Sequence, residues 1–147
     1  MNTELETRKH QQKVQELLLQ IISELILRAQ NHDKSKLESP ELEIFEKYTQ
    51  KLKDTSYGSD EYNQYLAEMK PALDHHYANN RHHPEHHGNS VNRMDLIDLL
   101  EMFCDWKAAT LRHADGNMKK SIDINKKRFS MSTQLTDIFK NTMKYLQ

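Results

Sequence analysis

Three features of the 147-residue sequence predict an all-α fold. Apolar residues recur three and four positions apart in every long segment, the spacing of one helix face. Gly and Pro, at three each, are too few to punctuate a strand-and-turn protein. No segment alternates apolar and polar residues at the period of a strand. A single domain over residues 1–147, of about five to six helices, is expected, because this length suffices to bury one hydrophobic core.

The first helix is the longest. From Val14 the apolar residues Leu17, Leu18, Ile21, Ile22, Leu25, Ile26 and Ala29 keep to one face, and neither Gly nor Pro interrupts them before His32. Ser39-Pro40-Glu41 reads as the next start, with Ser as cap and Pro at the first helical position. Leu42, Phe45, Tyr48 and Leu52 supply its apolar stripe. Tyr57-Gly58-Ser59-Asp60 reads as a turn. Tyr62, Tyr65, Leu66, Met69 and Leu73 then mark a helix bent near Pro71. Residues 81–92 carry a Pro and a Gly and read as a loop. A helix over 94–113 carries Leu96, Ile97, Leu99, Leu100, Phe103, Ala108 and Leu111, and Gly116 ends it. Two shorter helices, over 118–129 and 133–146, close the chain. The seven Met and the single Cys104 read as core.

Composition narrows the function classes. A formal net charge of −1 gives no basic field for long nucleic acid or an anionic membrane. A lone Cys forms no internal disulfide, which fits a reducing compartment. The longest apolar stretch, around Leu17 to Ile22, is too short to span a bilayer. A cytoplasmic protein is expected, from a cell or from a virus replicating in one. The amphipathic first helix is compatible with a homodimer, although an intramolecular core would read identically.

Six of the nine histidines fall between His75 and His87. Histidine is the commonest neutral metal ligand and carboxylates complete such sites, so this cluster and the earlier pair His32-Asp33 point to bound metal. Asp33 has two oxygens and can bridge a second ion. Glu101 and Asp105, at i and i+4, share a helix face, and so do His76 and Asn80. The loop His82-His83-Pro84-Glu85 follows at once and can fold over the same cavity. Nitrogen and oxygen donors of this kind suit Fe, Mn, Zn, Co or Ni better than Ca or a structural zinc–thiolate site.

Each of these signals has a plainer reading. A His-Asp dipeptide at a helix end is usually a polar cap, and His82 to His87 can be a solvated loop. Glu101 and Asp105 can face solvent, but Leu100, Phe103 and Trp106 border them, which favours a pocket. His10 invites use as a further ligand. Along an unbroken helix it stands about 33 Å from His32 at 1.5 Å per residue, so the two cannot serve one ion within a chain.

His32-Asp33-Lys34-Ser35-Lys36 resembles the His-Asp-x-(Gly/Ser)-Lys signature of the HD superfamily, metal-dependent phosphohydrolases with an all-α core. The segment His76 to Glu85 and the helix Glu101 to Trp106 are similar to later elements of one branch, a family of small HD-like phage and bacterial proteins. The ordered match runs from about Val14 to Arg128. The resemblance implies one or two divalent transition-metal ions held by His32, Asp33 and Asp105, with His76 and His82 or His83 on a second ion. Glu101 is a further candidate ligand. The superfamily pattern has another His upstream of the pair, for which His10 is the candidate here.

What the resemblance implies chemically is hydrolysis of a nucleotide or other small phosphate ester by a metal-activated water in a bacterial or phage-infected cytoplasm. Asp33 orients the water, and His82 protonates the leaving oxygen. Lys36, Arg112 and Asn80 contact the substrate, with Asn125 and Arg128 as weaker candidates. Two alternatives stand beside it. One is a non-hydrolytic protein that sequesters a nucleotide signal; the other is a di-iron HD-like oxygenase. A helical protein whose histidines bind nothing is the plainest alternative.

Overall fold

The structure, a computed structural model, describes residues 2–56, 59–112 and 114–146. Among these residues it is all-α. There are seven α-helices, linked and followed by 3-10 turns, and no strand. That is slightly more helices than the sequence predicts, because one predicted helix is two. The chain forms two compact units, residues 1–32 and 33–147.

The first unit is helix α1, Thr3–Asn31, ended by His32. Asn2 caps it by accepting from the Leu5 amide, and Glu4–Arg8 and Glu24–Arg28 pairs lace its surface at i, i+4. The helix is unbroken through Val14, so the distance argument against His10 and His32 sharing one ion holds within the chain. No helix among the described residues is long and apolar enough to cross a membrane.

The second unit begins with a single 3-10 turn, Lys34–Leu37, followed by α2, Glu41–Asp54. Pro40, rather than Ser39, occupies the N-cap position, and no side chain caps this helix. The expected Ser39 cap is therefore corrected: the chain enters the helix one residue later, and Glu41 opens it. The expected turn at Tyr57-Gly58 lies outside the described residues. Ser59 caps α3, Asp60–Glu68. Met69 then ends α3 and starts α4, Lys70–Asn79, so the helix expected to bend near Pro71 breaks instead. Proline lacks an amide hydrogen and its ring obstructs the carbonyl four residues back.

Residues 81–93 contain two 3-10 turns, Pro84–His87 and Val91–Arg93. Asp95 and Asp98 form a reciprocal capping box that fixes the start of α5, Leu96–Thr110, two residues beyond the expected one. It ends at Thr110, well before Gly116; the expected end at His113 lies outside the described residues. Helices α6, Met118–Arg128, and α7, Thr133–Thr142, are capped by Asn117 and Ser132. Helices α5, α6 and α7 enclose a core of Val91, Met102, Phe103, Met118, Ile122, Phe129, Met131 and Phe139, with Phe103 stacked on Phe139. Cys104, expected inside, is exposed. The α5 face that feeds this core carries Met102 and Phe103, and Cys104 lies on the next position round the helix.

Candidate metal centre

Four stretches of the second unit converge beside this core: the turn after Asp33, the first turn of α2, the last turns of α4 with the loop that follows, and the middle of α5. Asp33 sits in the left-handed region, at φ 55° and ψ 18°. Asp tolerates that conformation better than most residues because its short polar side chain can bond locally. One of its oxygens, Oδ2, accepts from Lys36 Nζ at 2.6 Å, one turn onward. The other, Oδ1, lies 3.4 Å from His76 Nε2 and 3.5 Å from His82 Nε2.

Both imidazoles are buried and each has a carboxylate at its far side. His76 Nδ1–H donates to Glu41 Oε2 at 2.8 Å, while His75 Nδ1–H donates to Glu41 Oε1 at 2.7 Å. Glu101 Oε1 stands 3.1 Å from His82 Nδ1. A carboxylate at Nδ1 favours the proton there and leaves the Nε2 lone pair facing inward, the arrangement metal-binding histidines use. His83 Nε2 lies 2.8 Å from His76 Nε2. One donor atom from each of Asp33, His76, His82 and His83 falls within 4.8 Å of all the others. Asp105 Oδ2 reaches to 4.0 Å of His82 Nε2.

The electrostatics keep the His76 and His83 rings neutral. Burial, then the neighbouring His82 and His76, lowers the His83 pKa to about 3. Burial, then the Lys36 ammonium, lowers His76, with Asp33 and Glu41 opposing. Burial alone would raise the Glu41 pKa, but hydrogen bonds from His75, Ser35 and His76 outweigh it and the net shift is downward. Two neutral imidazoles, a third beside them and an anionic carboxylate form a donor set that fits a divalent transition ion of the Fe, Mn, Co, Ni or Zn kind. The exposed Cys104 adds no thiolate to this set.

The other sequence-predicted residues fall out variously. Glu101, a candidate ligand from the sequence, is one of the carboxylates that could hold an ion beside His82. Asn80 is buried, and its amide donates to Ser35 Oγ and the His76 carbonyl at 2.8 Å each, so it braces the cluster and is not turned toward a ligand. Arg112 is exposed in the turn after α5, with no hydrogen bond or ion pair to the cluster among the described residues. Arg128 pairs with Glu85 at 2.7 Å, and Asn125 donates to the Ser121 carbonyl. Of the four loop histidines, His82 and His83 face the cluster. His86 Nδ1 bonds the Tyr77 carbonyl, and His87 Nε2 the Arg81 carbonyl. His32 closes α1 and is joined by its peptide bond to Asp33.

Sequence reasoning missed Glu41. It is wholly buried and orders two histidines more than thirty residues away. An acid at the start of a helix reads as a partner for the helix dipole, so no local signal sets it apart.

A family model matches residues 1–147, the whole chain. The protein belongs to DUF5662, a family of unknown function. That description names no activity for DUF5662 and draws no link to the HD superfamily. No curated protein and no solved structure matches the chain. For this DUF5662 protein, then, a chemical role rests on the geometry and on the motifs.

Proposed function

We propose that this protein is a metal-dependent phosphohydrolase acting on a nucleotide or other small phosphate ester. The observation that carries the reading is the meeting of His76 Nε2 and His82 Nε2 at Asp33 Oδ1, each ring backed by a carboxylate. Asp33, His76, His82 and His83 would hold the ion, Asp105 lies at the edge of the group, and His32 joins the proposal on its place in the His-Asp pair. A divalent ion supplies polarisation of a phosphoryl oxygen and a lowered pKa of water when bound.

The chain's own residues supply the rest. Lys36 Nζ, held by Asp33 and partly exposed, is placed to neutralise a phosphate oxygen. Glu41 fixes the tautomer of His76, and Glu101 lies against His82 Nδ1. His82 is 1% exposed and aims Nε2 at Asp33, so its geometry suits a ligand better than the proton donor that the sequence suggests. Asn80 holds Ser35 and the end of α4 in register.

Two other readings use the same donors: a protein that sequesters a nucleotide without hydrolysing it, and a di-iron oxygenase. One experiment separates them. Protein loaded with Mn, Co or Fe is incubated, with and without O2, with a panel of nucleoside monophosphates and simple phosphate monoesters, beside Lys36→Ala. Released phosphate that falls at least tenfold in the variant supports hydrolysis. Tight binding with the ligand recovered intact supports sequestration, and turnover only with O2 supports the oxygenase.

A further inference from the structure

A cleft of about 430 Å³ opens directly beside the ligand histidines. His76, His83 and Lys36 line it together with Phe45, Met69, Leu73 and Tyr77. Two of these side chains also set the imidazoles: Phe45 meets His76 edge-on at 6.3 Å between ring centres, and Tyr77 meets His83 at 5.2 Å. The volume lies in the range of small-molecule pockets, which are mostly apolar with a few placed polar groups. Here Lys36, His76 and His83 are the placed polar groups, and Thr49 and Tyr77 are the wall residues that carry a hydroxyl. A ligand that fits must join an anionic end, for Lys36 and the metal cluster, to a hydrophobic end poor in hydrogen-bonding groups.

We propose that this cleft receives the organic group of the phosphate ester, and that the group is a hydrophobic ring. The inference rests on the phosphoester reading of the cluster and names its substrate class. Burying a ring against Phe45, Leu73 and Tyr77 gives affinity through removed apolar surface, whereas a polar base edge would be left without partners. The test uses metal-loaded full-length protein and two unreactive probes, phenylphosphonate and methylphosphonate, titrated by calorimetry. The expected result is at least tenfold tighter binding of the phenyl compound, and loss of most of that preference in Leu73→Ser with metal content unchanged. Equal binding of the two probes by the unsubstituted protein overturns the cleft assignment and leaves the phosphoester reading standing. Binding of neither probe to metal-loaded protein overturns both.

A second inference comes from α1 alone. Val14, Leu17, Leu18, Leu19, Ile21, Ile22 and Ile26 are each 39% to 57% exposed. At about 100° per residue they cover an arc of roughly 200°, broader than the ~100° stripe of an ordinary surface helix. With Leu27 they offer on the order of 700 Å² of surface, close to one side of a standard protein interface. The helix carries Glu4, Glu6, Glu16 and Glu24 against Arg8, Lys9, Lys13 and Arg28, four charges of each sign, so it lacks the cationic face that holds interfacial helices on anionic lipid.

The geometry points to a second copy of this chain as the partner, with α1 packed on α1 of that copy. Sedimentation velocity on the full chain, from about 1 to 100 μM, tests it. Self-association is expected, with loss in Leu18→Glu/Ile22→Glu and an unchanged helical spectrum. A monomer throughout overturns the inference, and so does an oligomer unaffected by the two substitutions. A monomer that floats with lipid vesicles assigns the face to a membrane and overturns it too.

Discussion

At Glu41 a single carboxylate holds two imidazoles by Nδ1, at 2.7 and 2.8 Å, and is fully buried. Its role is to orient His76, and orienting carboxylates of this kind are worth about 10- to 100-fold in metal affinity. Glu41→Gln should therefore weaken metal binding by that factor, read by competition with a chelator, with helical content retained. Unchanged affinity would make Glu41 a merely structural acid. The histidines predict a pH dependence. His83, and in the same direction His76, titrate lower in the folded chain than the ordinary 6.5, so the unfolded chain takes up protons first as pH falls. Stability of the metal-free protein is full above about pH 6.5 and is lost progressively toward pH 3. Chemical denaturation across that range should show the decline, with a shallower slope in His83→Asn; a flat profile would contradict the buried, neutral rings. The donor types at this scale were legible in the sequence, since His76, His82, His83 and Asp33 stand in dense or paired motifs. Their surroundings were not: the Glu101 carboxylate lies at His82 Nδ1 and the Asn80 amide bonds Ser35 and the His76 carbonyl, placements set by tertiary packing.

Elements place these residues through their ends. The reciprocal Asp95–Asp98 cap starts α5 and so sets the phase of Glu101 and Asp105. Asp98 is also the buried acceptor for Arg81, at 3.2 and 2.9 Å, which ties the loop bearing His82 and His83 to the same helix. Asp98→Ala leaves the Asp95 cap on its backbone amide but removes the reciprocal bond and the fork together, and should cost about 2 kcal/mol or more, measured by urea denaturation. It should also weaken metal binding, because loop and helix lose their common anchor. A loss below about 0.5 kcal/mol would show the Asp98 side chain to be dispensable. Helix periodicity in the sequence located the helical segments but merged α3 with α4 and blurred the ends. The break at Met69, the late start of α5 and the end at Thr110 follow from Pro71, Asp98 and the turn beyond Thr110, each a local bond pattern that apolar spacing does not encode. Pro84 likewise decides which histidines turn inward, because the 3-10 turn it opens carries His86 and His87 to backbone carbonyls instead.

On the scale of the whole molecule, the second unit owes its stability to the core of α5, α6 and α7. Ile122 is fully buried at its centre. Ile122→Ala should cost about 2–5 kcal/mol in equilibrium unfolding, with metal affinity per folded molecule preserved, since no ligand comes from α6. A cost under 1 kcal/mol would place the core elsewhere. The all-α class was readable from composition and periodicity alone. The exposed breadth of α1 was not, since an apolar stripe reads the same whether it meets its own chain or another.

The central claim is that Asp33, His76, His82 and His83 hold a metal ion, and elemental analysis of purified, tag-free protein tests it most directly. The informative variants are His82→Ala and Asp33→Gly, because Gly adopts the left-handed backbone at position 33 that Ala would strain. The account predicts about one equivalent or more of Fe, Mn, Co, Ni or Zn per chain, lost in both variants while the fold persists. No bound ion after reconstitution with each of these metals, or a stoichiometric ion that survives both substitutions, would contradict it.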